Sequence, residues 1–128
     1  MLFRSVTHEA VTYCHLKDKW YFAPRKCSTE TFETSKDEKY KACGKIIQLN
    51  GDRKNPIIIN DPQYNQERCF SSIKAIPYQE DNLVYIKTYE VDGNFESWIG
   101  MINVNGTSVM NEISLGKNKF EGLEIIPF

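Results

Sequence analysis

The sequence predicts an α+β domain, with one short helix packed on a twisted antiparallel sheet. Three observations carry that reading. The stretch Asn82 to Val104 holds two β-rich runs on either side of Asp92-Gly93, a strong hairpin signal. Further short alternating runs, bounded by Asn, Gly and Pro, lie before and after it. A single segment, Ser28 to Ala42, carries helix-start signals.

The hairpin fixes a register. A two-residue loop pairs Val91 with Asn94, Glu90 with Phe95, Thr88 with Ser97, Ile86 with Ile99 and Val84 with Met101. Side chains alternate across a strand, so Val84, Ile86, Ile99 and Met101 share one face. That face is assigned to the core. The opposite face carries Tyr85, Lys87, Tyr89, Trp98 and Ile102. Half aromatic and half polar, it is either an exposed binding platform or a layer covered by another element.

The other elements follow in order. Residues 5–13 give a loosely alternating strand, and Leu16 to Ala23 its partner, with Lys17-Asp18-Lys19 as the turn and Pro24 as the stop. In the helical segment, Thr34 with Asp37 and Ser35 with Glu38 form overlapping capping boxes. Phe32, Tyr40 and Cys43 make its buried face, and Gly44 occupies the left-handed position at its end. Lys45 to Leu49 and Pro56 to Asn60 are short strands around the Asn50-Gly51-Asp52 turn. Asp61-Pro62 opens a polar loop. Cys69 to Tyr78 is a strand that stops at Pro77, and Ser108 to Leu115 is another. Phe120 to Phe128 is expected as a docked apolar tail. No repeat, linker or low-complexity segment divides the 128 residues, so a single domain, 1–128, is expected.

Composition narrows the functions. Apolar residues make up 41% and charged residues 26%, as in a globular chain. A net charge of −1 offers no long-range attraction to a phosphate backbone. No apolar run is long enough to cross a membrane as a helix. Met1-Leu2-Phe3 followed at once by Arg4 is too short for a signal peptide, which leaves a cytosolic protein or a mature form without its leader. Cys14, Cys27, Cys43 and Cys69 form no C-x-x-C pair. Their even count suits disulfides of open connectivity in a secreted domain, against four buried thiols in a cytosolic one. Asn105-Gly106-Thr107 has the form of a glycosylation sequon.

Marked chemistry is scarce. His8 and His15 are the two histidines, and their spacing sends them to opposite faces of a strand. No metal site or cofactor is expected. Cys14 and His15 are neighbours, whose side chains point apart, so they do not form a nucleophilic pair. No P-loop, G-x-G-x-x-G or G-x-S-x-G occurs. Glu80 and Asp81 are adjacent carboxylates that read as a solvated turn or a general base.

The order of elements resembles the small fungal ribonuclease fold, and in particular the ribonuclease-like secreted effectors of powdery mildew fungi. Tyr13-Cys14, Asn55 to Ile59, Ile73 to Asp81 and Leu83 to Met101 carry the likeness. The sequence departs from it in having no cysteine after Cys69 and no histidine on the matching sheet stretches. The resemblance therefore implies a pseudo-ribonuclease: a secreted, non-enzymatic, monomeric effector with no membrane association. It would act inside a host plant cell on a host protein and be detected by intracellular immune receptors. Weak RNA binding on Tyr85, Lys87, Tyr89 and Trp98 would accompany it. The rival readings are an active ribonuclease assembled from Glu80, Arg68 and His15, and a small β-rich ligand-binding module whose Lys19-Trp20-Tyr21 is similar to the lipocalin start.

Overall fold

The computed structural model describes residues 5–28, 42–52, 55–77, 79–91 and 93–117. Among these residues the architecture is all β. Eight strands form: β1 (Ser5–Cys14), β2 (Lys19–Ser28), β3 (Lys45–Asn50), β4 (Ile57–Asn60), β5 (Cys69–Ile76), β6 (Gln79–Val91), β7 (Asn94–Asn103) and β8 (Ser108–Gly116). They make two four-stranded antiparallel meanders, β1-β2-β3-β4 (sheet A) and β5-β6-β7-β8 (sheet B). This corrects the α+β expectation. A chain that alternates with period two, and turns back every ten residues or so, builds meanders. The helix expected over 28–42 falls almost wholly outside the described residues. Gly44 does adopt a positive φ, but it leads into β3 rather than ending a helix.

The central hairpin has the register that its turn residues dictate. Val91 faces Asn94, Ile86 faces Ile99 and Val84 faces Met101, with Gly93 at a φ of 80° in the turn. β5 ends before Pro77, as the proline requires. Pro24 does not end β2, which runs on to Ser28. His8 stands opposite Pro24, and the β1–β2 register shifts on both sides of that pair. Such an irregularity is where a residue without an N–H fits inside a sheet.

The two sheets meet where the first two strands of sheet A, β1 and β2, lie against β5, the first of sheet B. One core joins them: Ala10, Cys14, Tyr21, Ala23, Ile46 and Ile59 from sheet A's side, Phe70, Ile73, Leu83, Tyr85 and Ile102 from sheet B's. Fully burying an Ile or Leu side chain stabilises by about 1.5–3 kcal/mol. Residues 61–68 carry the chain from the last strand of sheet A to the first of sheet B. That crossing covers three strand spacings, roughly 14 Å, and eight residues reach up to about 26 Å. Two meanders with neighbouring first strands, joined in this way, have the arrangement of consecutive blades in a β-propeller.

The face of the hairpin chosen from sequence is corrected. Leu83, Tyr85 and Ile102 belong to the main core, and Lys87 is 1% exposed. Val84 and Ile86 are buried on the other face, while Ile99 and Met101 are only half-buried. The physical reason is a charge network that neutralises Lys87. Its Nζ lies 2.5 Å from Glu112 Oε2 and 2.5 Å from Asp61 Oδ2, and donates to the Gln63 carbonyl at 3.0 Å. Two hydrogen bonds and one further carboxylate surround the ammonium. The contact with Asp61 Oδ2 lacks hydrogen-bond directionality and is chiefly coulombic. Glu112 is satisfied further by Tyr85 Oη, which donates at 2.7 Å, and by Arg68 at 3.1 Å. Gly100 faces Tyr85 across the ladder. A Cβ there would stand 2.5 Å from Tyr85 Oη and 3.1 Å from Glu112 Cγ, so only glycine leaves room for that bond.

Replacing Lys87 by Met leaves two buried carboxylates facing each other. The expected loss is about 3–5 kcal/mol, read from urea unfolding. Adding Glu112→Gln to Lys87→Met should recover part of it. A loss below about 1 kcal/mol would show that the cluster does not hold the sheets together.

Two buried tyrosines make stability fall in alkali. Burial, with lesser contributions from Cys14 and Asp81, pushes the Tyr21 phenol from 10.0 up to about 12. Burial and the bond to Glu112 push Tyr85 higher still. Folded values above the unfolded one mean a contribution fully present below pH 10.0 and lost as pH rises through the folded values. The urea midpoint should therefore drop between about pH 10 and about pH 12, beyond what the exposed groups account for. Tyr21→Phe should reduce the drop, and an unchanged drop in that variant would count against the assignment.

Candidate functional site

β1 and β5 end side by side, and the turn that follows each one forms a cleft. It has a volume of about 280 Å³ and is lined by Tyr13, Cys14, His15, Leu16, Ala75, Ile76 and Pro77. The tight β1–β2 turn, with Asp18 at a φ of 51°, places His15 and Leu16 at its rim. Leu16 is 69% exposed. Tyr13 meets the His15 ring edge-on at 5.1 Å and the Trp20 ring at 4.7 Å. Tyr13 Oη donates to Asp18, and that bond, ahead of desolvation, raises its pKa. Lys17 pairs with Asp81 at the start of β6, tying the turn to sheet B. The cleft is apolar with one imidazole at its edge. It can hold a small flat group, with the buried Cys14 thiol and the exposed His15 imidazole in its lining.

The residues singled out from sequence are dispersed. Tyr85, Lys87 and Trp98 are 1%, 1% and 9% exposed, so they offer no stacking platform for RNA. Tyr89 is half-buried. Arg68 lies over the Trp98 ring at 3.9 Å, before β5 begins. His15 lies beside the opposite end of β5, eight residues or roughly 26 Å further on. The ribonuclease set of Glu80, Arg68 and His15 is therefore not assembled. Glu80 belongs to β6 rather than to a turn, its side chain lying outside the described residues. Cys43 is disulfide-bonded, whereas Cys14 and Cys69 are buried thiols. Cys27 lies on β2 with its side chain outside the described residues. Sequence reasoning missed Asp61, Gln63 and Glu112. Asp61 looked like a loop opener before Pro62, and only the inward phase of Glu112 on β8 could have marked it.

No group of three or more His, Cys, Asp or Glu side chains suited to a metal ion occurs among the described residues. The buried pair Asp61 and Glu112 does not fit a divalent cation, because the Lys87 ammonium already stands between the two carboxylates.

Comparison with known proteins gives the relationship that the cleft alone does not. The family model described as Apyrase matches residues 5–126. An apyrase of Phlebotomus duboscqi is 33% identical over 124 residues, covering 94% of this chain and 37% of the relative. An apyrase of Cimex lectularius is 25% identical, covering 93% and 33%. Soluble calcium-activated nucleotidase 1 of Rattus norvegicus is 25% identical, covering 93% and 30%. The chain thus spans about a third of the length of the curated relatives it matches. These matches overturn the resemblance to ribonuclease-like effectors, together with the virulence, immune-recognition and ribonuclease readings that rested on it. They equally overturn the expectation of a non-enzyme, since the relatives are enzymes by name. Secretion agrees with this kinship and with a disulfide at Cys43, while delivery into a host cell interior has no support from either. With 122 of its residues inside the matched span (5–126), the chain belongs to the Apyrase family.

Proposed function

We propose that this chain is part of a nucleotide-hydrolysing protein, in which it supplies two consecutive blades of a larger β-propeller. The observation that carries the chemistry is the family match, which runs through both sheets from residue 5 to residue 126. The reaction would be hydrolysis of a phosphate bond of a nucleotide, with release of orthophosphate. A nucleotide brings several negative charges, and the site must meet them. Lys87 and Arg68 are already held by Asp61 and Glu112. A cation is the natural partner for the phosphates, in line with the name of the calcium-activated relative. Among the described residues no group of three or more His, Cys, Asp or Glu side chains stands ready to hold that cation.

The placement in a larger ring is supported by the outer face of sheet A. Val11, Phe22, Ile47 and Ile58 form one row straight across its four strands. Tyr13, Trp20 and Leu49 form the next. Val11 is 48% exposed and the rest are half-buried. No charge interrupts either row. An apolar sheet face of this extent marks an interaction surface. Its occupant in this reading is another four-stranded sheet of the same kind, packed as sheet B packs on the inner face, and the extra length of the relatives is what would supply it.

Phosphate release from a nucleoside diphosphate by the longer protein that contains this chain, with calcium and with a calcium chelator, tests the proposal. Release that falls to background with the chelator is the expected result. Absence of both release and calcium-dependent nucleotide binding would overturn it, and so would release that ignores the chelator.

A further inference from the structure

The turn between β7 and β8 carries the Asn105-Gly106-Thr107 triplet, which the nucleotide chemistry does not use. An Asn-x-Ser/Thr triplet accepts a glycan only where its asparagine reaches solvent and the finished fold can accommodate a bulky polar group. Both conditions hold. Asn105 and Thr107 are exposed, at the tip of the hairpin. Gly106 between them, at a φ of 91°, adds no side chain to shield the site. The turn is rigid. Gly106 N donates to the Asn103 carbonyl at 2.9 Å, and Asn103 N to the Thr107 carbonyl at 2.8 Å. Asn105 N donates to Asn103 Oδ1 at 3.0 Å. Thr107 N donates to Asn105 Oδ1 at 2.9 Å. With Oδ1 turned back onto the turn, the Asn105 Nδ2 is directed away from it. The disulfide at Cys43 is a second, independent observation, because disulfides form in the oxidising secretory compartment where such glycans are attached.

From these observations we propose that Asn105 is an N-glycan attachment site. In the transfer, Asn105 Nδ2 attacks the anomeric carbon of a diphosphate-activated, lipid-borne oligosaccharide. The N–C bond forms as the C–O bond to the diphosphate breaks. Nδ2 loses one proton, and the lipid diphosphate leaves with the bonding electron pair. No oxidant or reductant is needed. The proposal is independent of the nucleotidase reading and fails or stands separately from it.

The test is expression of the chain behind a secretory leader in eukaryotic cells, followed by intact-mass measurement before and after peptide N-glycosidase treatment. One glycan is expected, removed by the enzyme. Asn105→Gln and Thr107→Ala should each abolish it, and Thr107→Ser should retain it. These changes lie on an exposed turn, so urea unfolding should confirm that both unmodified variants remain folded. A secreted wild-type chain of unmodified mass would overturn the proposal. A glycan that persists in Asn105→Gln would overturn it too.

Discussion

The constraint on which the rest of the structure depends is a single buried cation. Lys87 stands on the face of sheet B that carries Leu83, Tyr85 and Ile102, where an apolar residue would ordinarily stand. An unpaired ammonium there would prevent the sheets from closing. Asp61 and Glu112 make closure possible from two directions. Asp61 sits where the chain leaves β4, and Glu112 reaches in from β8. The connecting loop is thereby fastened to the sheet that it leads into. Gln63 fastens it again, donating to Ser108 Oγ at 2.9 Å and accepting from Glu112 N at 2.8 Å. With Arg68 the cluster holds two positive and two negative groups, so its charges balance without solvent. Such clusters add little net stability over an apolar core but punish the loss of any one member. Here that penalty ties both the loop and β8 to Lys87.

Local structure was legible because it is written locally. Asp92-Gly93 sets the hairpin register, and alternation with flanking turn residues marks β3, β4, β5 and β8. The face was not legible, because burial of Lys87 depends on partners 26 residues before it and 25 after it. Read alone, a lysine between two tyrosines belongs to water. Pro24 misled for the same kind of reason: whether a proline ends a strand depends on the partner strand, and β1 accommodates it with a shift in register. Cys43 illustrates the limit once more. Its oxidation state depends on which sulfur the fold brings to it, and spacing does not give that.

Function was less legible than fold. Family membership is spread over residues 5–126 and is not concentrated in a triplet or a glycine-rich loop that chemistry would flag. The sequence therefore holds no marked nucleophile, base or metal set, and only its overall order of elements is left to suggest a family. That order, strands around one helix candidate, is shared by many small domains and led to the wrong family. Fold-level likeness is a weak guide to chemistry, which lives in particular side chains.

The two faces of sheet A show how this protein separates fixed contacts from open ones. On the inner face, against sheet B, polar groups are admitted because the neighbour is fixed: Thr12 Oγ accepts from Ala75 N at 3.2 Å, and Gln48 is buried between Tyr21 and Ile57 of the neighbouring strands. On the outer face the rows through Phe22 and Trp20 are wholly apolar. Apolar surface is non-directional, so it suits a sheet that docks as a unit and need not match donor to acceptor. Leaving those rows in water forgoes about 25 cal/mol for each Å² that a neighbour would cover. In the proposed reading that face is the next interface of the ring. The family relationship then has a structural counterpart: relatives about three times as long have the polypeptide to cover it.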